Sequence, residues 1–255
     1  MPTLKDKAVV LRLVDWSESS QIAVTLTREH GKVSATAKGA KRQTPSVMAK
    51  FSGGLELATR GEAVWIAKAG RDLGNLIEWN LLDGYWRLRR DLRAFDLAMY
   101  AVDLAHHLLH DHDPHPRSFD ALARLLDQLG RTNGELAIGQ ADISSAALLA
   151  FQWALVDDAG YRPVLDRDAQ SGAALDESAT VRAFSAAAGG LVEGHADAWK
   201  VRQATVALLR RVAAGEDLSD AGAADVSRAN RLLCAYCRAI LDKQLPTMAA
   251  VLGRG

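Results

Sequence analysis

Apolar residues recur with two different periods along the 255-residue chain. Ala8–Val14 is a short β-rich run, and within Gln21–Thr27 the larger apolar residues fall at 22, 24 and 26, the alternation of a half-buried strand. Arg28–Lys32 is a tight polar link containing Gly31, and Val33–Ala37 alternates again, so 21–37 predicts a hairpin. Phe51–Thr59 and Glu62–Ala67 add two strands, broken by Arg60-Gly61. Five short strands before residue 75 predict a small closed or nearly closed barrel, which removes the free edges of the sheet.

From about residue 80 the period becomes helical. Tyr85, Leu88, Leu92, Phe95, Met99 and Val102 lie three and four apart and predict one continuous helix. Pro114 and Pro116 end it, Ser118 is the expected N-cap of a helix over Phe119–Leu129, and Ser144–Asp158 is a third, closed by Gly160. Residues 161–198 lose the pattern among Pro163, Gly172, Gly189, Gly190 and Gly194, which predicts turns and short strands. Helices return over Trp199–Ala213 and Val226–Leu245. The expected organisation is α+β and multidomain: a barrel over 1–78, then a mainly helical domain over 79–255 in which 161–198 is an insertion.

Charge sharpens this division. Lys plus Arg and Asp plus Glu balance at 31 each, but residues 1–75 hold twelve cations and seven acids, an excess of five that the remainder reverses. Such asymmetry marks a polyanion-binding module joined to something else. The opening MPTLKDKAVV has no apolar run of a leader, and no segment reaches the roughly 18 apolar residues of a membrane span. Cys234 and Cys237 cannot build a disulfide scaffold, so a soluble, cytoplasmic protein is expected.

Candidate chemistry concentrates in the basic part. Lys38-Gly39-Ala40-Lys41-Arg42 closes the third strand, where glycine lets a phosphate backbone approach closely; Arg12 and Lys32 extend the same expected face. Five-stranded barrels often hold single strands in such basic grooves. Arg87 and Arg90, with Arg89 and Arg93, crowd a helix beside Trp86 and continue the track, with Trp86 as its expected stacking surface, although Asp83, Asp91 and Asp96 are interleaved as ordinary pairing partners. His106 and His110 have a chelating i,i+4 spacing, but no Glu or Cys completes a shell, so a solvated helix end is expected. Cys234 and Cys237 are expected to be packing residues, and no motif of a known enzyme class occurs.

The run Val9–Ser20, followed by Thr25–Lys32 and Lys38–Arg42, closely resembles the start of the RecO family of bacterial recombination mediators. Weaker similarity continues at Gly160–Asp166, Phe184-Ser185 and Ala188–Val192. The resemblance implies an N-terminal OB barrel, a helical domain with a zinc-ribbon-like insertion, and binding and annealing of single-stranded DNA. It also implies cooperation with RecR and single-strand-binding protein in loading RecA, and a nucleoid location. One departure matters. Where many members carry two C-x-x-C pairs, this chain has Asp168–Ser171 and Glu193–Ala196, so zinc is expected to be absent and the insertion to hold by packing and hydrogen bonds.

The leading expectation is therefore a non-enzymatic mediator without a cofactor that binds single-stranded DNA, and duplex DNA as a further possible partner, through Arg12, Lys32, Lys38, Lys41, Arg42, Arg87 and Arg90. Arg124 and Arg131 are the candidates for docking the acidic, apolar tail of single-strand-binding protein. A repair adaptor with little DNA binding of its own is the alternative, and a metal-dependent enzyme built on the histidines is the remotest reading.

Overall fold

A computed structural model describes residues 2–67, 73–131, 143–176, 178–194 and 198–253. The chain forms two compact units, Met1–Arg131 and Thr132–Gly255.

The first unit opens with β1 (Thr3–Asp15), β2 (Gln21–Thr27) and β3 (Gly31–Ala37), continues through the short helix α1 (Pro45–Lys50) and the two-residue strand β4 (Phe51–Ser52), and returns in β5 (Arg60–Ile66) and β6 (Leu73–Asp83). Antiparallel pairing joins β3 to β2, β2 to β1, β1 to β5 and β5 to β6, and the parallel pair β3–β6 closes the barrel. This five-stranded closure has the OB-type order.

The interior is lined mainly by small residues, Ala8, Ala23, Ala35, Ala37 and Ala63, and filled by Trp65 and Trp79. Gly61 is required there, because a Cβ would come within 2.4–2.7 Å of the Trp79 ring. Val9, Leu11, Val24 and Leu26 are also buried, although they point out of the barrel. Helices α2 (Leu92–Leu108) and α3 (Pro116–Arg131) pack against β1 and β2, so these strands are buried on both faces.

Departures from the sequence expectation in the first unit have local causes. Strand β6 crosses the expected border between residues 78 and 79; a bulge opposite Val64/Trp65 shifts burial from Leu76 to Trp79 and breaks the alternation that would have revealed it. The stripe from Tyr85 to Val102 is not one helix. Tyr85 adopts a left-handed φ of 46°, a 3-10 turn spans Trp86–Arg90, and Asp91 restarts the chain as the N-cap of α2, accepting from the Ala94 amide at 3.1 Å. Ser118 is buried inside α3, with Pro116 at the first helical position.

Barrel and helices are fastened by cations. Lys32, 8% exposed, donates from Nζ to the carbonyls of His106 (2.6 Å) and Leu109 (2.7 Å) at the end of α2. These are carbonyls that a helix C-terminus leaves unpaired, so the ammonium satisfies them and meets the negative end of the dipole. Arg28 makes a two-pronged pair with Asp120 of α3, both bonds 3.0 Å, and Arg60 lies 3.5 Å from Asp127. Gly31 admits the Asp113 backbone where a Cβ would stand 2.1 Å from its carbonyl oxygen.

The second unit contains α4 (Ile143–Asp158), a small sheet ordered β8–β7–β9 from β7 (Val181–Ser185), β8 (Gly190–Val192) and β9 (Trp199–Arg202), then α5 (Gln203–Ala214), α6 (Ala223–Leu241) and the short α7 (Ala249–Leu252). Trp199–Arg202, expected as helix, is a strand because Trp199 stacks on Phe184 at 5.9 Å and Val201 enters the core. Tyr236 meets Phe184 edge-on at 5.3 Å. Between α4 and α6 the buried Gln152 donates to Asn230 (2.7 Å), which donates to the Ser145 carbonyl (2.8 Å).

Replacing Lys32 by Met keeps the aliphatic stem but strips the carbonyls of His106 and Leu109 of their donor. We expect a loss of about 2–3 kcal/mol in urea unfolding; an unchanged midpoint would show that the ammonium does not hold barrel to helix.

Candidate nucleic-acid interface

Two loops at one end of the barrel build a cleft. After β1 the chain turns at Trp16–Ser20, with the Trp16 and Ser17 amides donating to the Ser20 carbonyl, both 3.1 Å. After β3 it turns at Lys38–Arg42, where Gly39 has φ 72° and its carbonyl accepts from the Arg42 amide at 2.9 Å. The loops are tied together: Ser20 Oγ accepts from the Gly39 amide and the Ser19 carbonyl from the Lys41 amide, each at 3.1 Å. Between them lies a cleft of about 400 Å³ lined by Trp16, Ser17, Lys38, Gly39, Arg42 and Val47, among others. Trp16 is 64% exposed, an indole held in water by a hydrogen-bonded loop. It was not a candidate from spacing alone; the available signal was a lone aromatic inside the polar run Asp15–Ser20.

The expected basic residues separate into distinct groups. Lys38 and Arg42 are exposed and line this cleft. Lys41 pairs with the exposed Asp15 at 2.5 Å, a contact of the kind worth little in water. Arg12 is exposed and donates to His106 Nε2 at 3.4 Å; burial, with Lys32 nearby, lowers the His106 pKa to about 4, which keeps the ring neutral and able to accept. Lys32 departs from the expectation of an open phosphate contact, since its ammonium is buried against α2. Arg87 and Arg90 are exposed on the 3-10 turn and line a second cleft with Trp86 and Arg131. Arg124 is exposed on α3, its Nε donating to the Asp120 carbonyl at 3.2 Å.

The histidines do not form a chelating face. Helix α2 ends at Leu108, and Leu109 turns to an extended conformation, which removes His110 from the face of His106. His107 Nδ1 bonds to the Asp103 carbonyl at 2.9 Å, and His115 is buried rather than solvated. Cys234 and Cys237 are buried free thiols in α6, and burial pushes the Cys237 pKa up.

The positions that resemble a zinc module offer a donor set unsuited to zinc. Asp168, 5% exposed, spends one carboxylate oxygen on the amides of Gln170 (2.9 Å) and Ser171 (2.7 Å) and the other on the Glu193 amide (2.6 Å). Glu193 in turn accepts from the Asp176 amide at 3.0 Å, and Ser171 Oγ from that of Ala173 at 3.3 Å. Residues 195–197, with His195 and Ala196, lie outside the described residues. Three N–H donors converge on one carboxylate, so an anion joins the two loops where a structural cation would need four electron-pair donors. The same bonds, chiefly those to Ser171 and Glu193, hold the Asp168 pKa at about 2.

The five-stranded barrel places the first unit in the class of OB-type folds, among which loop clefts with aromatic and basic side chains commonly hold single strands. Residues 1–85 match the model of the recombination protein O N terminal region, and residues 89–249 that of its C terminal region. The DNA repair protein RecO of Anaeromyxobacter dehalogenans (strain 2CP-C) is 38% identical over 194 residues, 76% of this chain and 70% of that protein. The DNA repair protein RecO of Myxococcus xanthus (strain DK1622) is 32% identical, covering 69% of this chain and 67% of its own length. That of Salinibacter ruber (strain DSM 13855 / M31) is 30% identical, covering 82% and 75%. The chain belongs to the RecO family of DNA repair proteins. No helix among the described residues is long and apolar enough to cross a membrane.

Because the Asp168 pKa is depressed, its contribution to stability is complete above the ordinary carboxyl value near 4 and is lost as pH falls through about 2. Asp168→Asn should lower the melting temperature at pH 7 and flatten its fall between pH 4 and 2. Chelation of the wild-type protein should leave that temperature unchanged; a drop on chelation, reversed by zinc, would contradict the carboxylate account.

Proposed function

We propose that this chain is a non-enzymatic recombination mediator that binds and anneals single-stranded DNA and helps load RecA onto strands covered by single-strand-binding protein. The observation that carries the reading is the loop cleft in which the exposed Trp16 faces Lys38 and Arg42. A base stacks on the indole, which is worth about 1–3 kcal/mol and is indifferent to sequence because every base has a π-face. Phosphates pair with Lys38 and Arg42, with Lys41 once the strand displaces Asp15, and with Arg12. Neutralising the phosphates lowers the repulsion between complementary strands and so favours pairing.

The partners are those of the family: RecR, RecA loaded in consequence, and the acidic, apolar tail of single-strand-binding protein, for which Arg124 is an exposed cation on α3. The site of action is the bacterial nucleoid. A repair adaptor with little DNA affinity is the alternative, favoured by the exposed Leu82 and Leu92, and DNA binding separates the two.

Fluorescence anisotropy with a labelled oligothymidylate over a salt series tests the proposal. Trp16→Ala should weaken binding about tenfold or more. The double variant Lys38→Ala/Arg42→Ala should make the log–log salt slope shallower by about 1.4, at roughly 0.7 for each lost phosphate contact. Unchanged affinity and slope in both variants would remove the cleft from the function.

A further inference from the structure

The second cleft of the first unit is built from different residues. It measures about 400 Å³ and lies between the turn at Asp83–Arg90 and the end of α3, lined by Tyr85, Trp86, Arg87, Arg90, Gly130 and Arg131, with Asp83 and Asp127. Its two acids are already engaged: Asp83 accepts from the Tyr85 amide at 2.8 Å, and Asp127 lies 3.5 Å from Arg60. Among the described residues, Arg87, Arg90 and Arg131 have no acidic partner, so three positive charges face this cleft against the one carboxylate, Asp83, whose partner is a neutral amide. The C-terminal dipole end of α3 supplies only about half a negative charge against them.

The backbone here is strained in a way that presents an aromatic ring. Tyr85 holds a left-handed conformation that is costly for a bulky residue. It is kept there by burial of its ring, with Gly130 close on one side and the Arg60 guanidinium 5.9 Å from the ring centroid. Its consequence is that Trp86 leaves the barrel and stands 53% exposed. The indole is fixed rather than loose: a Cβ at Gly84 would come within 2.4–2.7 Å of it, and the Arg89 guanidinium lies 5.0 Å from its centroid while pairing with Glu56. A rigid, half-exposed indole beside three unpaired arginines fits a base and its phosphate. It lacks the aliphatic floor that would hold the apolar side chains of an acidic peptide.

We infer that this cleft is a second nucleotide subsite, in which Trp86 stacks a base and Arg87, Arg90 and Arg131 hold its phosphate. This rests on the reading that the chain binds single-stranded DNA, and it adds the contact for a further strand that annealing requires. It also assigns Arg131 to nucleic acid rather than to a peptide tail.

The test is the tryptophan indole resonances of the full chain during titration with the dinucleotide pTpT, with Trp86→Phe assigning the Trp86 signal. The Trp86 signal should shift saturably, and Arg87→Gln/Arg131→Gln should raise the midpoint at least tenfold without lowering the melting temperature. Trp16→Ala should leave the Trp86 response in place, so failure of the barrel cleft and failure of this subsite are separately visible. A Trp86 signal unmoved at concentrations that move Trp16 would overturn the inference. So would a signal that responds to a short peptide of Asp and Phe and not to pTpT.

Discussion

The ammonium of Lys32 is buried where α2 ends, and its place there governs how the first unit is put together. A helix C-terminus offers carbonyls without donors, and a strand residue supplies the charge that satisfies them. Because Lys32 sits in the second position of β3, the register of the hairpin is coupled to the end of α2. The isolated bridge from Lys32 to Asp111 and the glycine at position 31 let the following loop lie directly against the same turn. Neighbouring Arg28 reaches α3 in another way, through its two-pronged pair with the Asp120 carboxylate. The helices are thus fixed to the barrel by buried or paired cations as well as by Val9 and Leu26.

This constraint divides the basic residues of the barrel. Arg28, Lys32 and Arg60 are spent on contacts to the end of α2 and to α3, while Arg12, Lys38 and Arg42 remain toward solvent. The excess of positive charge in the first 75 residues therefore overstates what a strand of DNA meets. What a strand meets is a short loop pair, tied by the hydroxyl of Ser20, that holds one indole and two cations in place. Rigidity matters here, because an ordered stacking surface loses little entropy when a base arrives.

The residues show how far the sequence was readable. Alternation revealed β2 and β3, but it could not say that Val24 and Leu26 face helices while Ala23 faces the interior, since both faces are buried. The bulge in β6 erased its period, and the left-handed Tyr85 interrupted a stripe whose spacing looked helical throughout. Lys38 and Arg42 were legible because a turn of cations around glycine has to be exposed. Lys32 was not, because nothing in its neighbours announces a helix end 74 residues away in the chain. Trp16 was hidden by convention: a lone tryptophan is ordinarily read as core. In the second unit the Asp168 bonds took the place of a pattern of thiolates, a substitution visible as lost cysteines but not as the carboxylate that replaces their work.

Hydrogen exchange of the full chain, with and without saturating oligothymidylate, tests the division of cations most directly. The account predicts slowed exchange at residues 16–20 and 38–42 and unchanged exchange at 28–32, whose cations already serve the fold. Protection at 28–32 with none at the two loops would contradict it.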